Sequence, residues 1–86
     1  MMGQMGNKRI MAEELNEEYQ EAWLTDDGEQ GAVVSTGYDH VIDSGVFYVE
    51  WEYGIMRYLE QFPFLHEAHE FLEAKGFELY EVRGVN

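Results

Sequence analysis

The eight residues from Val46 to Tyr53, VFYVEWEY, constrain the fold of this chain more than any other stretch. Phe47, Val49, Trp51 and Tyr53 alternate with Val46, Tyr48, Glu50 and Glu52. Successive side chains of a strand point to opposite faces, so this order buries one face and leaves the other half polar. Such a strand needs sheet neighbours and a second layer over its apolar side. Asp43-Ser44-Gly45, just before it, fits a tight turn with Gly45 in the left-handed position of a three-residue hairpin loop. Glu52-Tyr53-Gly54 repeats the turn chemistry at its end.

The segment AVVSTGYDHVID, from Ala32 to Asp43, is β-branched and aromatic and predicts the preceding strand, with Gly37 as a bulge. Residues 55–62, IMRYLEQF, fit two patterns. Ile55, Leu59 and Phe62 suit a helix, while Gly54 and the β-rich neighbours favour a third strand, and a strand is expected. Pro63 suits the first turn of a following helix. That helix gathers Phe64, Leu65, Ala68, Phe71 and Leu72 in one sector, ends at Gly76, and lets Phe77 pack back on Leu72. FELYEV then resumes alternation as a short last strand at a sheet edge.

The stretch from Met11 to Glu29 holds eight carboxylates (Glu13, Glu14, Glu17, Glu18, Glu21, Asp26, Asp27 and Glu29) and no Lys or Arg. At about 100° per residue, Met11, Leu15, Tyr19 and Trp23 share a sector and the glutamates fall opposite. This predicts an amphipathic helix capped by Asn7. Its like-charge pairs at three and four residues cost about 0.2–0.5 kcal/mol each, a cost that a sequence concerned only with stability would relieve with Lys. TDDGEQG follows as a loop.

The expected fold is therefore α+β: an N-terminal amphipathic helix, a three-stranded antiparallel meander, a second helix and a short C-terminal strand. Residues 1–7 are expected to form a flexible tail and 8–86 a single small domain. The order of the first elements is similar to that of double-stranded-RNA-binding domains. The basic residues such a domain needs on its second helix are replaced by Glu67, Glu70 and Glu73.

A net charge of −13 on 86 residues that are 45% hydrophobic belongs to a folded body rather than to a disordered chain. It argues against direct binding to nucleic acid or to an anionic membrane and points to basic protein surfaces. Without cysteine there are no disulfides and no thiol chemistry. No apolar run approaches a membrane span, and the N-terminus lacks the apolar core of a signal peptide, so a cytoplasmic protein is expected.

Chemistry has few footholds. Asp26-Asp27-Gly28-Glu29 lacks the alternating oxygen ligands of a calcium loop. His66 and His69 stand three apart beside Glu70 and Glu73, a donor set for zinc. The spacing is not that of HExxH, and surface pairing of the two histidines with Glu70 and Glu73 is the simpler expectation. His40 stands alone, and Ser35, Thr36 and Ser44 have no nucleophile context. Neither a cofactor, a metal nor an enzymatic activity is expected.

The functional expectation is a small acidic inhibitor that occupies the basic nucleic-acid-binding surface of a protein target. In size and charge the chain resembles phage anti-defence proteins, anti-CRISPR proteins among them, and immunity proteins or antitoxins. The expected contact residues are Glu13, Glu14, Glu17, Glu18, Glu21, Asp26, Asp27 and Glu29, with Tyr48, Glu50 and Glu52 from the alternating strand. The alternative is a structural or adaptor protein that self-associates through its sheet, as a homodimer, with the charge serving solubility.

Overall fold

The computed structural model describes residues 9–84, so the expected tail 1–7 and its Asn7 cap lie outside the described residues. Five strands form one antiparallel sheet: β1 (Gln20–Thr25), β2 (Gly31–Asp39), β3 (Ser44–Tyr53), β4 (Met56–Phe62) and β5 (Phe77–Arg83). One α-helix among the described residues, α1 (Leu65–Ala74), joins β4 to β5. The sheet order is β4-β3-β2-β1-β5. β1 to β4 are a meander, and β4 and β5 run the same way at opposite edges, so the chain returns through α1.

This arrangement corrects the expected fold. Among the described residues there is no N-terminal α-helix and no three-stranded meander between two helices. Ala12–Glu14 form one 3-10 turn, and the segment read as the helix's second half is β1. Tyr19 and Trp23 are four apart, a spacing that places two residues on one side of a helix and equally on one side of a strand. Glu21 decides between them. In a helix it would stand opposite the apolar stripe, whereas in β1 it shares the inner face with Tyr19 and Trp23, and all three are buried. Asn16 adds a local signal for a turn, because its side chain accepts a hydrogen bond from the Glu18 N–H at 2.8 Å.

Smaller corrections follow the same logic. The β2–β3 turn is His40–Asp43, closed by the Asp39–Ser44 pair, and the left-handed residue is Asp43 (φ 55), with Gly45 already in the strand. Gly37 makes no bulge, since the β2–β3 register runs through it unbroken. The bulge lies on β5, where the register shifts opposite Ala22 and Trp23. Pro63 precedes α1 rather than opening it. The Leu65 N–H at the helix start donates to the Ile10 carbonyl at 3.0 Å.

One face of the sheet is covered by α1 and the N-terminal segment. Tyr19, just before β1, and Trp23, Val34, Phe47 and Val49 from the strands meet Ala12, Leu65, Ala68 and Leu72, with Phe77 closing the end. Each fully buried large side chain, Phe47 and Leu72 among them, stabilises by about 1.5–3 kcal/mol. Towards β4 the layer continues as an aromatic row. Trp51 stacks on Tyr58 with ring centres 5.2 Å apart, and Phe71 meets Trp51 at 5.0 Å and Phe62 at 5.1 Å. The other face of the sheet carries no second layer among the described residues around Ala22, Val33 and Leu59, whereas Val46, on the same face towards the β2–β3 turn, is buried.

Candidate protein-interaction surface

The structure distributes the eleven expected contact residues over four places, one of them the interior. Glu13, Glu14, Glu17 and Glu18 lie before β1, at one end of the sheet. Asp26, Asp27 and Glu29 lie in the β1–β2 loop at the other end, about 20 Å away by the length of a six-residue strand. The acidic stretch that is continuous in sequence is therefore not one surface. Several of its members also hold the backbone. Glu13 accepts the Gly45 N–H at 2.8 Å, which lowers its pKa and pins the 3-10 turn to β3. Glu14 accepts the Met11 N–H at 3.1 Å. Asp27 accepts from Glu29 N–H at 3.0 Å and from the Thr25 hydroxyl at 2.7 Å, and both bonds hold its carboxyl below the usual range.

Glu21 is not a contact residue at all, being only 2% exposed. Burial alone would raise its pKa. The bonds it accepts from His69, Tyr19 and Trp23 outweigh that effect and hold the carboxyl below its ordinary value. His69 Nε2 lies 2.8 and 2.9 Å from the two carboxyl oxygens, Trp23 Nε1 donates at 2.9 Å, and the Tyr19 hydroxyl donates to Oε2. Burial and the Glu21 charge together push the Tyr19 phenol well up. The His69 ring also packs on Trp23 at 5.1 Å. His69 thus answers a carboxylate from a distant strand, not Glu70 or Glu73 on its own helix as expected.

Tyr48, Glu50 and Glu52 all project from β3 onto the bare face, and here the structure brings together what the sequence left scattered. The pairing registers define a transverse row across the sheet: Glu81, Ala22, Val33, Glu50, Leu59. One step along, Glu78 pairs with Leu24, Leu24 with Gly31, and Glu52 with Arg57. The result is a trough whose floor is Ala22, Leu24, Gly31 and Val33, with carboxylates along both sides. It encloses a shallow groove of about 380 Å³ between Ala22 and Glu50. Three strand spacings separate the Glu81 and Glu50 walls, or about 14 Å.

Glu78 and Glu81 are the functional candidates that sequence reasoning missed. Strict alternation puts them on opposite faces, and only the β5 bulge, which adds Tyr80 between their partners, turns both outward to the same side. Tyr48 is less available than expected. Its ring lies flat over Gly37, where a Cβ would overlap it, and Tyr48 is half-buried.

Cations do little to relieve the outer charge. Among the described residues, only Glu52 and Glu81 have an Arg partner, Arg57 at 3.4 Å and Arg83 at 3.1 Å, and both pairs are exposed. Lys75 instead sits over the Trp51 and Phe71 rings at 5.2 and 4.9 Å, and Arg9 over Phe64 at 5.4 Å. The histidines do not converge: His66 stacks against Phe64 while His69 turns to Glu21, and His40 packs on Tyr38 in the β2–β3 turn. No group of three metal-ligating side chains comes together among the described residues. No described helix is long and apolar enough to cross a membrane. In comparison with known proteins, the chain matches no family model, no curated protein and no solved structure.

Proposed function

We propose that this protein is a small acidic inhibitor that binds the basic, nucleic-acid-handling surface of a protein target through the bare face of its sheet. The observation that carries the proposal is the trough between Glu50 and Glu52 on β3 and Glu78 and Glu81 on β5. Its floor of small and aliphatic side chains offers apolar contact, and both walls carry negative charge. A width of about 14 Å suits an α-helix of about 10–12 Å diameter whose Lys and Arg side chains reach both walls. Basic helices and loops of that kind are what nucleic-acid-handling proteins present to phosphates. The proposal places the protein in the cytoplasm, where such targets work.

Long-range attraction from a net charge of −13 favours fast, salt-sensitive association, and the apolar floor then adds contact area. The test is capture of binding proteins from the source cell by the wild-type protein and by two charge-reversed forms. Glu50→Lys/Glu78→Lys/Glu81→Lys should lose the captured target, and Glu14→Lys/Glu17→Lys/Glu18→Lys should keep most of it. The wild-type complex should dissociate as salt rises to about 0.5 M and should compete with nucleic acid for the target. Capture that survives the first triple reversal, or that duplex DNA and RNA leave untouched, would overturn the proposal.

A further inference from the structure

The two edges of the sheet are built differently. On β5 the bulge at Tyr80 and the carboxylates of Glu78 and Glu81 interrupt the edge, as protected edges do. β4 has no bulge, no proline and no lysine, and all but its last residue are exposed. Its charges cancel, with one Arg57 and one Glu60, in a protein that is strongly negative elsewhere. Exposed apolar side chains cluster along β4 and its hairpin, where Ile55 is fully exposed, Leu59 is 62% exposed and Tyr53, Met56 and Tyr58 flank them, whereas the exposed Leu79, Tyr80 and Val82 of β5 are interrupted by the bulge and the carboxylates.

We propose that β4 pairs antiparallel with β4 of a second copy, about a two-fold axis through Leu59, to form a ten-stranded sheet. Backbone geometry selects this register. Tyr53 and Met56 close a two-residue hairpin with Gly54 at φ 64, so this pair exchanges both main-chain hydrogen bonds. By alternation Tyr58, Glu60 and Phe62 bond inward to β3, and Arg57, Leu59 and Gln61 turn their N–H and C=O groups to the free edge. A two-fold axis normal to the sheet pairs only residues whose side chains share a face. Centring on Leu59 aligns Leu59 with its copy, Arg57 with Gln61, Tyr58 with Glu60 and Met56 with Phe62. Every outward backbone group then finds a partner, and no like charges face each other. Centring on Arg57 or Glu60 would oppose identical charges.

The remaining negative charge does not forbid the contact. Glu50, cross-strand from Leu59, would lie three strand spacings from its copy, about 14 Å, beyond the screening length of about 8 Å at physiological salt. The bare trough stays open on the same side in both copies, so this dimer and partner binding are independent.

Sedimentation velocity over a concentration series, at about 50 mM and about 500 mM salt, tests the dimer. A reversible monomer–dimer equilibrium is expected, tightening at high salt, opposite in sign to the salt response of partner binding. Leu59→Lys, which sets two ammonium groups on the axis, should weaken it by at least about tenfold, while Val82→Lys on β5 should leave it unchanged. Amide exchange of Arg57, Leu59 and Gln61 in the wild-type protein should slow with protein concentration. A monomer at every concentration and both salts overturns the proposal. So does a dimer that tolerates Leu59→Lys or leaves those three amides unprotected.

Discussion

Glu21 on β1 and Glu50 on β3 belong to the same sheet and point to opposite faces, and everything that governs a carboxylate differs between them. Glu21 is enclosed by α1 and receives donors from His69, Tyr19 and Trp23. Glu50 faces solvent beside Val33 and Leu59, with no hydrogen-bonding cation. The negative charge of this protein is thus two populations. Inside, a single carboxylate is matched donor for donor and ties β1 to α1. Outside, four carboxylates border a trough: Glu52 and Glu81 each meet one exposed arginine, and Glu50 and Glu78 have no such partner among the described residues, which leaves the trough negative for a partner.

The strongest way to break this comparison is to remove the inner carboxylate. Glu21→Ala leaves the Tyr19 hydroxyl, the Trp23 N–H and His69 without their acceptor in a closed site. It should cost about 3–5 kcal/mol, enough to unfold much of a domain this small. Glu50→Ala should change stability by less than about 0.5 kcal/mol. Urea denaturation of both variants measures the difference, and equal effects would mean that Glu21 is not a structural charge.

Acid sharpens the same contrast. Glu21 has a folded pKa held below its ordinary 4.5, so it contributes stability that is present above that value. The contribution is lost as pH falls through the lowered folded value. Glu21→Gln keeps the shape but cannot ionise. It should be less stable than wild type by about 1–3 kcal/mol near neutrality and should lose less on acidification, so the two denaturation curves converge as pH falls through the lowered folded value of Glu21. Parallel curves would show that the pair with His69 carries no net charge stabilisation.

How far these features were legible depended on whether one spacing answered to one structure. Phe47, Val49 and Trp51 repeat at two, a period that no helix shares, and β3 lies where they place it. Tyr19 and Trp23 repeat at four, which helix and strand both allow, and the string of glutamates made the helix look amphipathic. The clue was Glu21 between two aromatics with a polar handle each, together with Asn16 at a turn. His69 could not be assigned as its partner, because that contact joins residues 48 apart. The trough was half legible. Glu50 and Glu52 follow from alternation, whereas Glu81 joins Glu78 only through a bulge that leaves no mark in composition.

The outer face has its own internal contrast, between exposed carboxylates and a tyrosine held against the main chain. Tyr48 spreads over Gly37, diagonal to it across the β2–β3 pair, and covers the main chain that a side chain would otherwise shield. Gly37→Ala should gain about 0.5–1 kcal/mol from the stiffer unfolded chain, and displacing the ring should cost about 1–3 kcal/mol. The net is a loss of about 1 kcal/mol. In a Tyr48→Ala background the collision is gone and only the gain remains, so the same Gly37→Ala change should become stabilising. That reversal of sign in a double-mutant cycle, read by thermal or urea unfolding, would identify Tyr48 as a structural cover. If Gly37→Ala behaves alike in both backgrounds, the ring is free to leave Gly37, and Tyr48 rejoins Glu50 and Glu52 as a residue available to a partner.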